Sequence, residues 1–284
     1  MQNYKGLMLT DLDGTFLNET GKINRENIEA LKLLGEHKIA RAVCTGRTLN
    51  SAREVVARNL SFDFLVFSSG AGICNFADDK VICRHEITQP EIKELAEFFR
   101  NKNLDFSIHF PIPENHRFYW YSGKVMTPDL VSRLHYLAEF AVKGSDKEYL
   151  EMQSATQFLA ICPDLRINET IEKARNLFSN LSFIRATSPL NEGYSWIEVF
   201  PANINKGSGG DWLCKTFDIP LNKTMSIGND YNDIHMLEWA ETPFIMANSP
   251  DELKKRFNVV PSNSENGFAV AVKQWLSSIA GDKA

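Results

Sequence analysis

Two aspartates separated by one residue are the clearest chemical feature of the sequence. Asp11 and Asp13 lie in LTDLDGTF (residues 9–16), directly after an apolar segment that is typical of a buried strand. Because ligands bind at the carboxyl ends of strands in an open parallel sheet, this pair would lie at a binding edge. Asp-Gly-Thr is also favourable in turns, and the segment alone predicts a turn more strongly than a catalytic site.

Three further polar segments also follow predicted strands. They are CTGR (44–47), NINKGSGG (203–210) and SIGNDYNDIHML (226–237). The first offers the hydroxyl of Thr45 and backbone N–H groups at a helix start, which suit an anionic oxygen. The second contributes the ammonium group of Lys206. The third contributes amides and carboxylates from Asn229, Asp230, Asn232 and Asp233.

Each of these segments also has a purely structural interpretation. A threonine before a helix is commonly an N-cap, a single lysine is commonly a surface group, and acidic residues favour a helix N-terminus. Together, however, the four segments offer what phosphoryl transfer requires. A phosphate monoester repels an anionic nucleophile, so a metal ion and a lysine must neutralise it before a carboxylate can attack. Oxygen ligands of this kind suit Mg²⁺.

The elements that must position these side chains follow two different patterns. Residues 5–67 alternate strand-like and helix-like segments, which predicts a parallel sheet wrapped by helices. The same alternation resumes after Lys206. Between them, helices are predicted at 90–101, 128–141 and 166–180, and strands at 104–110, 116–121, 155–162, 181–187 and 194–200. Adjacent strand pairs predict an antiparallel sheet covered by helices.

The chain is therefore predicted to contain an α/β core formed by residues 1–83 and 200–284, interrupted by an inserted α+β domain at 84–199. An insert of about 110 residues is longer than any connection needs, and a lid that excludes water from a site would explain it. Its aromatic segment HFPIPENHRFYWYSG (109–123) is predicted to pack in the insert's core rather than contact substrate. His109, His116 and His135 lack metal-ligand spacing.

Composition limits the remaining possibilities. The 284 residues are 43% apolar and 24% charged, which is ordinary for a globular protein of two modules. A net charge of -5 argues weakly against nucleic acid as a partner. The five cysteines are odd in number and widely spaced, so we expect free thiols. No leader peptide or membrane span is indicated, and a soluble cytoplasmic protein is expected. The sequence indicates no oligomeric state.

The order D-L-D-G-T, T-G-R, K-G and G-N-D-x-N-D resembles the four motifs of the haloacid dehalogenase superfamily of phosphatases. The position and content of the insert resemble the Cof-like, class IIB branch, whose members mostly hydrolyse sugar phosphates and related small metabolites. NSENGFAVAV (263–272) resembles the closing segment of the family. The resemblance implies a Rossmann-like parallel-sheet core with helices on both faces, and an inserted α+β cap domain with an antiparallel sheet.

The resemblance also implies roles for the two aspartates. Asp11 would be the nucleophile that forms an aspartyl phosphate. Asp13 would protonate the leaving oxygen and then take the proton from the attacking water. Residues two apart on a strand lean the same way, which explains the spacing. Gly14 would let the backbone pass close to the phosphate.

The other motif residues would bind the phosphate and the metal. Lys206 would neutralise charge on the nucleophile and the phosphoryl group. The expected phosphate-binding residues are Thr45, Gly46, Arg47 and Asn248. The expected Mg²⁺ site comprises Asp11, the backbone carbonyl of Asp13, and Asn229, Asp230 and Asp233 of the last motif.

Two departures from the family pattern affect these assignments. The family usually shows G-D-x-x-N-D, so its metal-binding aspartate falls on Asn229, and either Asn229 replaces the carboxylate or Asp230 does so. We favour Asn229 as the ligand, with Asp230 and Asp233 supplying charge close by. In SSGAG (68–72), Ser69 stands where the family generally has an asparagine near the substrate entrance. Arg47 is also consistent with a structural role as a charge at a helix start, and Asn248 with the role of a helix N-cap.

The sequence thus predicts a Mg²⁺-dependent phosphatase of small phosphorylated metabolites, chiefly sugar phosphates, with neither nucleic acid nor a membrane as partner. Two alternatives stay open. One is a sugar phosphomutase of the phosphomannomutase type, which shares the cap class and the paired aspartates. The other is a non-catalytic protein, either a phosphate-responsive regulator or a structural protein that retains an inactive site because of Asn229.

Overall fold

The computed structural model describes residues 3–281. The N-terminal part alternates strands and helices as predicted. Its elements are β1 (Gly6–Asp11), α1 (Arg25–Glu36), β2 (Ile39–Cys44), α2 (Leu49–Val55), β3 (Phe64–Phe67), β4 (Gly72–Asn75) and β5 (Val81–Arg84). The sequence analysis did not predict β4 and β5. They are four residues each, and β4 turns back to pair with β3 in the antiparallel direction.

The middle part contains the remaining antiparallel structure. Its elements are β6 (Ile87–Thr88), α3 (Gln89–Asn101), β7 (Asp105–His109), β8 (Phe118–Tyr121), α4 (Pro128–Tyr136), β9 (Ala141–Lys143), α5 (Asp146–Glu151), β10 (Ser154–Ala155), β11 (Gln157–Pro163), α6 (Asp164–Leu177), β12 (Leu181–Thr187) and β13 (Tyr194–Pro201). Six of the strands form one sheet in the order β12-β13-β11-β7-β8-β9, and β6 pairs with β10 separately.

The helix predicted at 128–141 is too long. It ends at Tyr136, and the segment Ala141–Lys143 forms β9, which pairs in parallel with β8. Leu137 and Phe140 continue the apolar spacing of the helix, but pairing with a sheet edge decides the conformation of the segment that follows them. The short helix α5 was also missed.

The C-terminal part returns to the alternating pattern. Its elements are α7 (Lys206–Phe217), β14 (Thr224–Gly228), α8 (Ile234–Trp239), β15 (Thr242–Met246), α9 (Asp251–Lys254), β16 (Asn258–Val260) and α10 (Gly267–Gly281). These strands join the N-terminal ones in a single sheet of order β16-β15-β14-β1-β2-β3-β4-β5. The predicted fold class, a parallel-rich α/β core with an inserted α+β domain, is confirmed.

The chain divides into two compact units. One contains the residues up to Cys83 together with those from Asn205 onward, and the other is Arg84–Ile204. The sequence analysis ended the insert at residue 199, which would cut β13, because this strand pairs with β12 as far as Pro201. Beyond it, the N–H of Ala202 donates to the carbonyl oxygen of Asn180.

The six-stranded sheet of the insert buries side chains on both faces. Phe106 and Phe158 pack with residues of α3 and α6 on one face, whereas Leu159 and Ile161 pack with Leu130 of α4 on the other. Of the aromatic segment, Phe118 and Tyr121 are buried. His109 is buried as well, and its burial lowers its pKa to about 3. These side chains belong to the packing of the insert.

The cysteines and the lengths of the helices bear on the expected free thiols and the expected lack of a membrane span. All five cysteines carry free thiols, four of them buried. Among the helices of residues 3–281, none is both long and apolar enough to cross a membrane.

The glycines of α7 let this helix pack closely against the core sheet. A Cβ atom at Gly209 would lie 2.6 Å from Val66 of β3, and one at Gly210 would lie 2.5 Å from Leu9 of β1. Larger residues would push the start of the helix away from the strands. The glycines therefore hold Lys206, the first residue of α7, close to the end of β1.

We expect Gly210→Ala to lower the free energy of unfolding by about 1–3 kcal/mol, because the added methyl group overpacks a filled interface. Thr216→Ala on the exposed side of the same helix is the control. The side chain that is shortened there faces solvent, so no loss is expected. Denaturant unfolding of both variants checks this, and equal losses at the two positions would contradict it.

Candidate active site

The four predicted polar segments meet at one edge of the core sheet. Asp11 is the last residue of β1, which lies between β2 and β14 in parallel pairing with both. The chain leaves β1 toward β2 on one side, and β14 occupies the other side, so β1 is at the point where strand order reverses. Such a point opens a crevice at the carboxyl ends of the strands. Thr45 and Asn229 directly follow β2 and β14.

The centre of this edge is a buried cluster of one ammonium and two carboxylates. Nζ of Lys206 lies 2.6 Å from Oδ1 of Asp11 and 2.6 Å from Oδ1 of Asp233. Lys206 is 1% exposed, Asp233 0% and Asp11 5%. Lys206 thus contacts Asp11, the residue that the sequence predicts to be the nucleophile. Asn232 also contributes, since its Oδ1 lies 3.4 Å from the same nitrogen.

Electrostatics keep Lys206 charged. Burial lowers its pKa, but the carboxylates of Asp11 and Asp233 outweigh burial and hold the pKa above its ordinary value. Burial raises the pKa of Asp11, the nearby charge of Asp233 raises it further, and Lys206 opposes both. Two carboxylates against one ammonium leave the cluster with an excess negative charge. The arrangement therefore favours a cation beside Asp11.

Asp233 fixes the loop that follows β14. While its Oδ1 accepts from Lys206, its Oδ2 accepts from the backbone N–H groups of Asn229 at 2.8 Å and Asp230 at 3.0 Å. Both carboxylate oxygens are thus engaged in positioning. Asp230 and Asp233 are predicted as charges close to the metal site, and in the structure Asp233 lies behind the loop and supports it.

Asn229 lies against the loop that carries the two aspartates. One end of its side-chain amide is 3.0 Å from the carbonyl oxygen of Asp13, 3.2 Å from Oδ2 of Asp11 and 3.1 Å from Oγ1 of Thr15. With its NH₂ group at that end, the amide donates hydrogen bonds to these oxygens. With its oxygen at that end, the amide accepts from the hydroxyl of Thr15, and three oxygens of Asp11, Asp13 and Asn229 converge where a cation would relieve their repulsion.

This oxygen set fits a magnesium ion. Mg²⁺ binds oxygens in an octahedron at about 2.1 Å, so neighbouring ligand oxygens lie about 3 Å apart. Within residues 3–281, no group of three or more His, Cys, Asp or Glu side chains is arranged for a metal. The oxygens described above come from one carboxylate, one backbone carbonyl and one amide, and such hard donors suit Mg²⁺.

Gly14 is required where the loop turns beside Asn229. Its φ is +75°, a conformation that side chains disfavour, and a Cβ atom there would lie 2.5 Å from Nδ2 of Asn229. The loop is also fastened from the C-terminal segment. Nδ2 of Asn248 donates to the carbonyl oxygen of Gly14 at 2.9 Å, and its Oδ1 accepts from the N–H of Asn263.

Asn263 was missed by the sequence analysis. Its Nδ2 donates to the carbonyl oxygen of Leu17 at 2.9 Å, so the loop after Asp13 is held at both ends. The only signal was its place in NSENGFAVAV, a segment quoted for its resemblance and given no role. Thr15, which touches Asn229, lay inside the first motif and was likewise given no role.

The second aspartate points toward an arginine. Arg47 holds Asp13 through two hydrogen bonds, from Nε at 2.7 Å and Nη2 at 2.8 Å. The pair is partly open to solvent, with side-chain exposures of 30% for Arg47 and 50% for Asp13. Arg47 also donates to Oγ of Ser51. Arg47 was predicted as a phosphate ligand, and the structure shows it as the partner of Asp13.

Thr45 lies at the same edge with its hydroxyl available as a donor. Its Oγ1 accepts from the N–H of Arg47 at 3.1 Å, which leaves its own O–H for another oxygen. Its carbonyl accepts from the N–H of Ser69. Ser68, Ser69 and Gly70 have successive φ values of 46°, 51° and 105°. Two successive serines in the left-handed region are costly, whereas Gly70 adopts this region freely, and such strain is commonly found at functional sites.

Comparison with known proteins identifies related chains. A sequence model of the haloacid dehalogenase-like hydrolases matches residues 8–272. The 5-amino-6-(5-phospho-D-ribitylamino)uracil phosphatase YwtE of Bacillus subtilis is 26% identical over 289 residues, covering 94% of this chain and 96% of that protein. The HMP-PP phosphatase of Serratia proteamaculans is 23% identical, covering 94% of both chains.

Solved structures share the fold. The phosphatase BT1666 of Bacteroides thetaiotaomicron superposes with a TM-score of 0.78 at 22% identity, covering 96% of both chains. The sugar phosphatase BT4131 of subclass IIB superposes with a TM-score of 0.75 at 23% identity, covering 95% of this chain and 98% of that one.

We expect Asp233→Asn to lower the free energy of unfolding by about 2 kcal/mol, because an amide has one acceptor end and cannot serve both Lys206 and the loop N–H groups. Asp211→Asn is the matched control, since Asp211 forms an exposed pair with Lys215 and should cost less than about 0.5 kcal/mol. Denaturant unfolding compares the two, and similar losses would refute the supporting role of Asp233.

Proposed function

Because this chain belongs to the haloacid dehalogenase-like hydrolase family, we propose that it is a Mg²⁺-dependent phosphatase that hydrolyses small phosphate monoesters through an aspartyl-phosphate intermediate on Asp11. Membership confirms the predicted family and the predicted hydrolase class. The observation that carries the proposal is the buried contact of 2.6 Å between Lys206 and Asp11 at the end of β1, beside the carbonyl oxygen of Asp13 and the amide of Asn229.

The first step forms the phosphoenzyme. The Asp11 carboxylate attacks phosphorus, the bond between phosphorus and the ester oxygen breaks, and Asp13 gives its proton to the leaving oxygen. The ammonium of Lys206 neutralises charge that builds up on the transferring group. In the second step Asp13 takes a proton from water, the water oxygen attacks phosphorus, and the bond to Asp11 breaks. Phosphate leaves and both aspartates return to their starting states.

Four residues are proposed to bind the phosphate oxygens: Thr45, Gly46, Arg47 and Asn248. Thr45 has a hydroxyl proton to donate, as described above. Arg47 is proposed to act in two stages, since a phosphate dianion competes with Asp13 for its guanidinium group. Binding of the substrate would thereby release the Asp13 carboxylate, which takes up a proton from solvent and then serves as the proton donor of the first step.

The same oxygens define the proposed metal site. When bound by Asp11, the carbonyl oxygen of Asp13 and Asn229, Mg²⁺ would neutralise the phosphate and lower repulsion of the nucleophile. Asp230 and Asp233 would supply negative charge close by. The excess of carboxylate over ammonium around Asp11 supports this cofactor.

The substrate class is proposed from the relatives and from the chain's charge. Relatives carry names of phosphatases acting on a phosphorylated ribitylaminouracil and on HMP-PP, and a structural neighbour is a sugar phosphatase. We propose a small phosphorylated metabolite of this kind, chiefly a sugar phosphate, with the inserted domain selecting the leaving group as a cap. A net charge of -5 gives no reason to propose nucleic acid. We further propose that the protein acts in the cytoplasm.

A panel of phosphorylated metabolites assayed for phosphate release tests the function. We expect turnover with Mg²⁺, loss of turnover after EDTA that returns on adding Mg²⁺, and at least about a 10³-fold lower kcat in Asp11→Asn. Isomerisation of a hexose phosphate that requires a bisphosphate activator, without phosphate release, would instead identify a mutase. No turnover of any small ester, p-nitrophenyl phosphate included, would indicate a non-catalytic protein.

Asp13→Asn tests the assigned proton donor through the leaving group. We expect kcat/KM to fall by about 10²–10⁴-fold on a sugar phosphate, whose alkoxide leaves only when protonated. On p-nitrophenyl phosphate, whose phenolate leaves readily, the fall in kcat/KM should be at least tenfold smaller. Because kcat/KM reports formation of the phosphoenzyme, slow hydrolysis of the intermediate does not obscure the comparison. Equal losses on both substrates would contradict the role of Asp13.

A further inference from the structure

The amide of Asn229 meets hydrogen-bond acceptors at the end that faces the aspartates and donors at its other end, so without a metal its NH₂ group belongs on the side of Asp11 and Asp13. The end that faces the aspartate loop lies within 3.2 Å of Oδ2 of Asp11 and within 3.0 Å of the carbonyl oxygen of Asp13. Neither of those oxygens can donate when Asp11 is ionised. An NH₂ group at this end therefore donates to both oxygens without a metal, whereas an oxygen there accepts only from the hydroxyl of Thr15 at 3.1 Å and repels the other two oxygens unless a cation lies between them.

Its surroundings hold the amide in this place. Gly14 passes so close that a Cβ atom would lie 2.5 Å from Nδ2. On the other side, Asp233 accepts from the backbone N–H of Asn229 at 2.8 Å and holds the residue from behind. Exchange of oxygen and nitrogen by rotation about the terminal bond keeps the shape of the side chain, but it turns the NH₂ group toward donors at the other end, so a cation must hold the oxygen to make the exchange favourable.

A carboxylate at position 229 would behave differently. It would bring a further negative charge within 3.2 Å of Oδ2 of Asp11, where Lys206 is already shared by Asp11 and Asp233. It could not donate to either loop oxygen. Without a cation, such a site would repel itself, whereas with a cation it would gain a charged ligand.

We propose that Asn229 makes the metal site stable both empty and filled, by donating from NH₂ to Asp11 and Asp13 in the metal-free protein and presenting its oxygen to Mg²⁺ in the filled one. This inference rests on the proposed function, since it takes the same oxygens as the Mg²⁺ site. It implies that Mg²⁺ binds reversibly and more weakly than to a carboxylate version of the site, and that folding does not depend on the metal.

Asn229→Asp tests the inference with readouts other than activity. We expect its dissociation constant for Mg²⁺, measured by titration calorimetry, to fall at least about tenfold, because the ligand gains a charge. Its thermal midpoint in EDTA should fall by several degrees and recover with Mg²⁺. In the unaltered protein Mg²⁺ should also raise the midpoint, but by less than in Asn229→Asp, because the amide hydrogen bonds already stabilise the empty site.

Asn232→Asp is the matched control. It adds the same charge to the same loop, but its side-chain oxygen lies near Lys206, 3.4 Å from Nζ. We expect its Mg²⁺ affinity to change less than about threefold and its midpoint in EDTA to fall less than that of Asn229→Asp, since the new charge lies beside Nζ of Lys206 rather than against Oδ2 of Asp11. Tight Mg²⁺ binding by both variants alike would overturn the inference, because a charge anywhere in the loop would then be enough to strengthen Mg²⁺ binding.

NMR of side-chain amides observes the rotation directly. With ¹⁵N labelling, the Asn229 NH₂ signals, assigned by their loss in Asn229→Ala, should shift when Mg²⁺ is added, as the hydrogen bonds to Asp11 and Asp13 break. Unchanged signals at saturating Mg²⁺ would overturn the inference while the proposed function stands. Absence of Mg²⁺ binding to the unaltered protein would overturn both the inference and the proposed function. Calorimetry separates this outcome from the first, because it measures Mg²⁺ binding independently of the amide signals.

If Asn229→Asp does not fold in EDTA but folds in Mg²⁺, the inference is supported in its strongest form. If it folds in neither, Asn229→Ala replaces it in the thermal measurement. That variant should lose stability in EDTA relative to the unaltered protein and gain none from Mg²⁺. A midpoint in EDTA equal to that of the unaltered protein would overturn the inference.

Discussion

The buried ammonium of Lys206 is the constraint on which the rest of the site depends. A charge removed from water is costly unless close counter-charges compensate it. Here two carboxylates lie 2.6 Å from it, and they come from the end of β1 and the loop after β14. The ion cluster therefore joins three parts of the core that are far apart in sequence. The glycines of α7 are needed because this contact requires the helix to approach the strands closely.

The charge balance of this cluster links structure to chemistry. One ammonium shared by two carboxylates leaves a negative excess next to Asp11, and a phosphate dianion would add to it. A cation is the direct way to bind that substrate, and the oxygens beside Asp11 are of the type that Mg²⁺ prefers. Asp233 belongs to this balance without facing the loop oxygens, because its second oxygen is engaged by two backbone N–H groups. The neutral side chain of Asn229 then limits the repulsion at the point where the oxygens meet.

Much of this could be predicted from the sequence, and the physical reason is topology. Alternating apolar patterns predicted the strands, and a parallel sheet brings their carboxyl ends together, so Asp11, Thr45 and Asn229 were expected at one edge. What could not be predicted is which partner each polar group takes. Asp13 pairs with Arg47, and Asn248 bonds to the backbone of Gly14, because of backbone positions that are set by packing elsewhere. In the insert, β9 was missed for a similar reason, since strand pairing overrode an apolar spacing that continued the helix.

The two aspartates of the first motif differ in how they are held, and this difference fits the two roles proposed for them. Asp11 is buried and bonded to Lys206, so its carboxylate is fixed where a nucleophile must meet a single reacting atom. Asp13 is half exposed and bonded to an arginine that also reaches solvent. A proton donor must approach the leaving oxygen and afterwards a water molecule, so it needs freedom to turn. Gly14 follows it directly, and its left-handed turn lets the Asp13 carbonyl face Asn229 while the Asp13 side chain points to Arg47. Asp13 thus places a fixed backbone oxygen at the proposed metal site and a movable carboxylate beside the substrate.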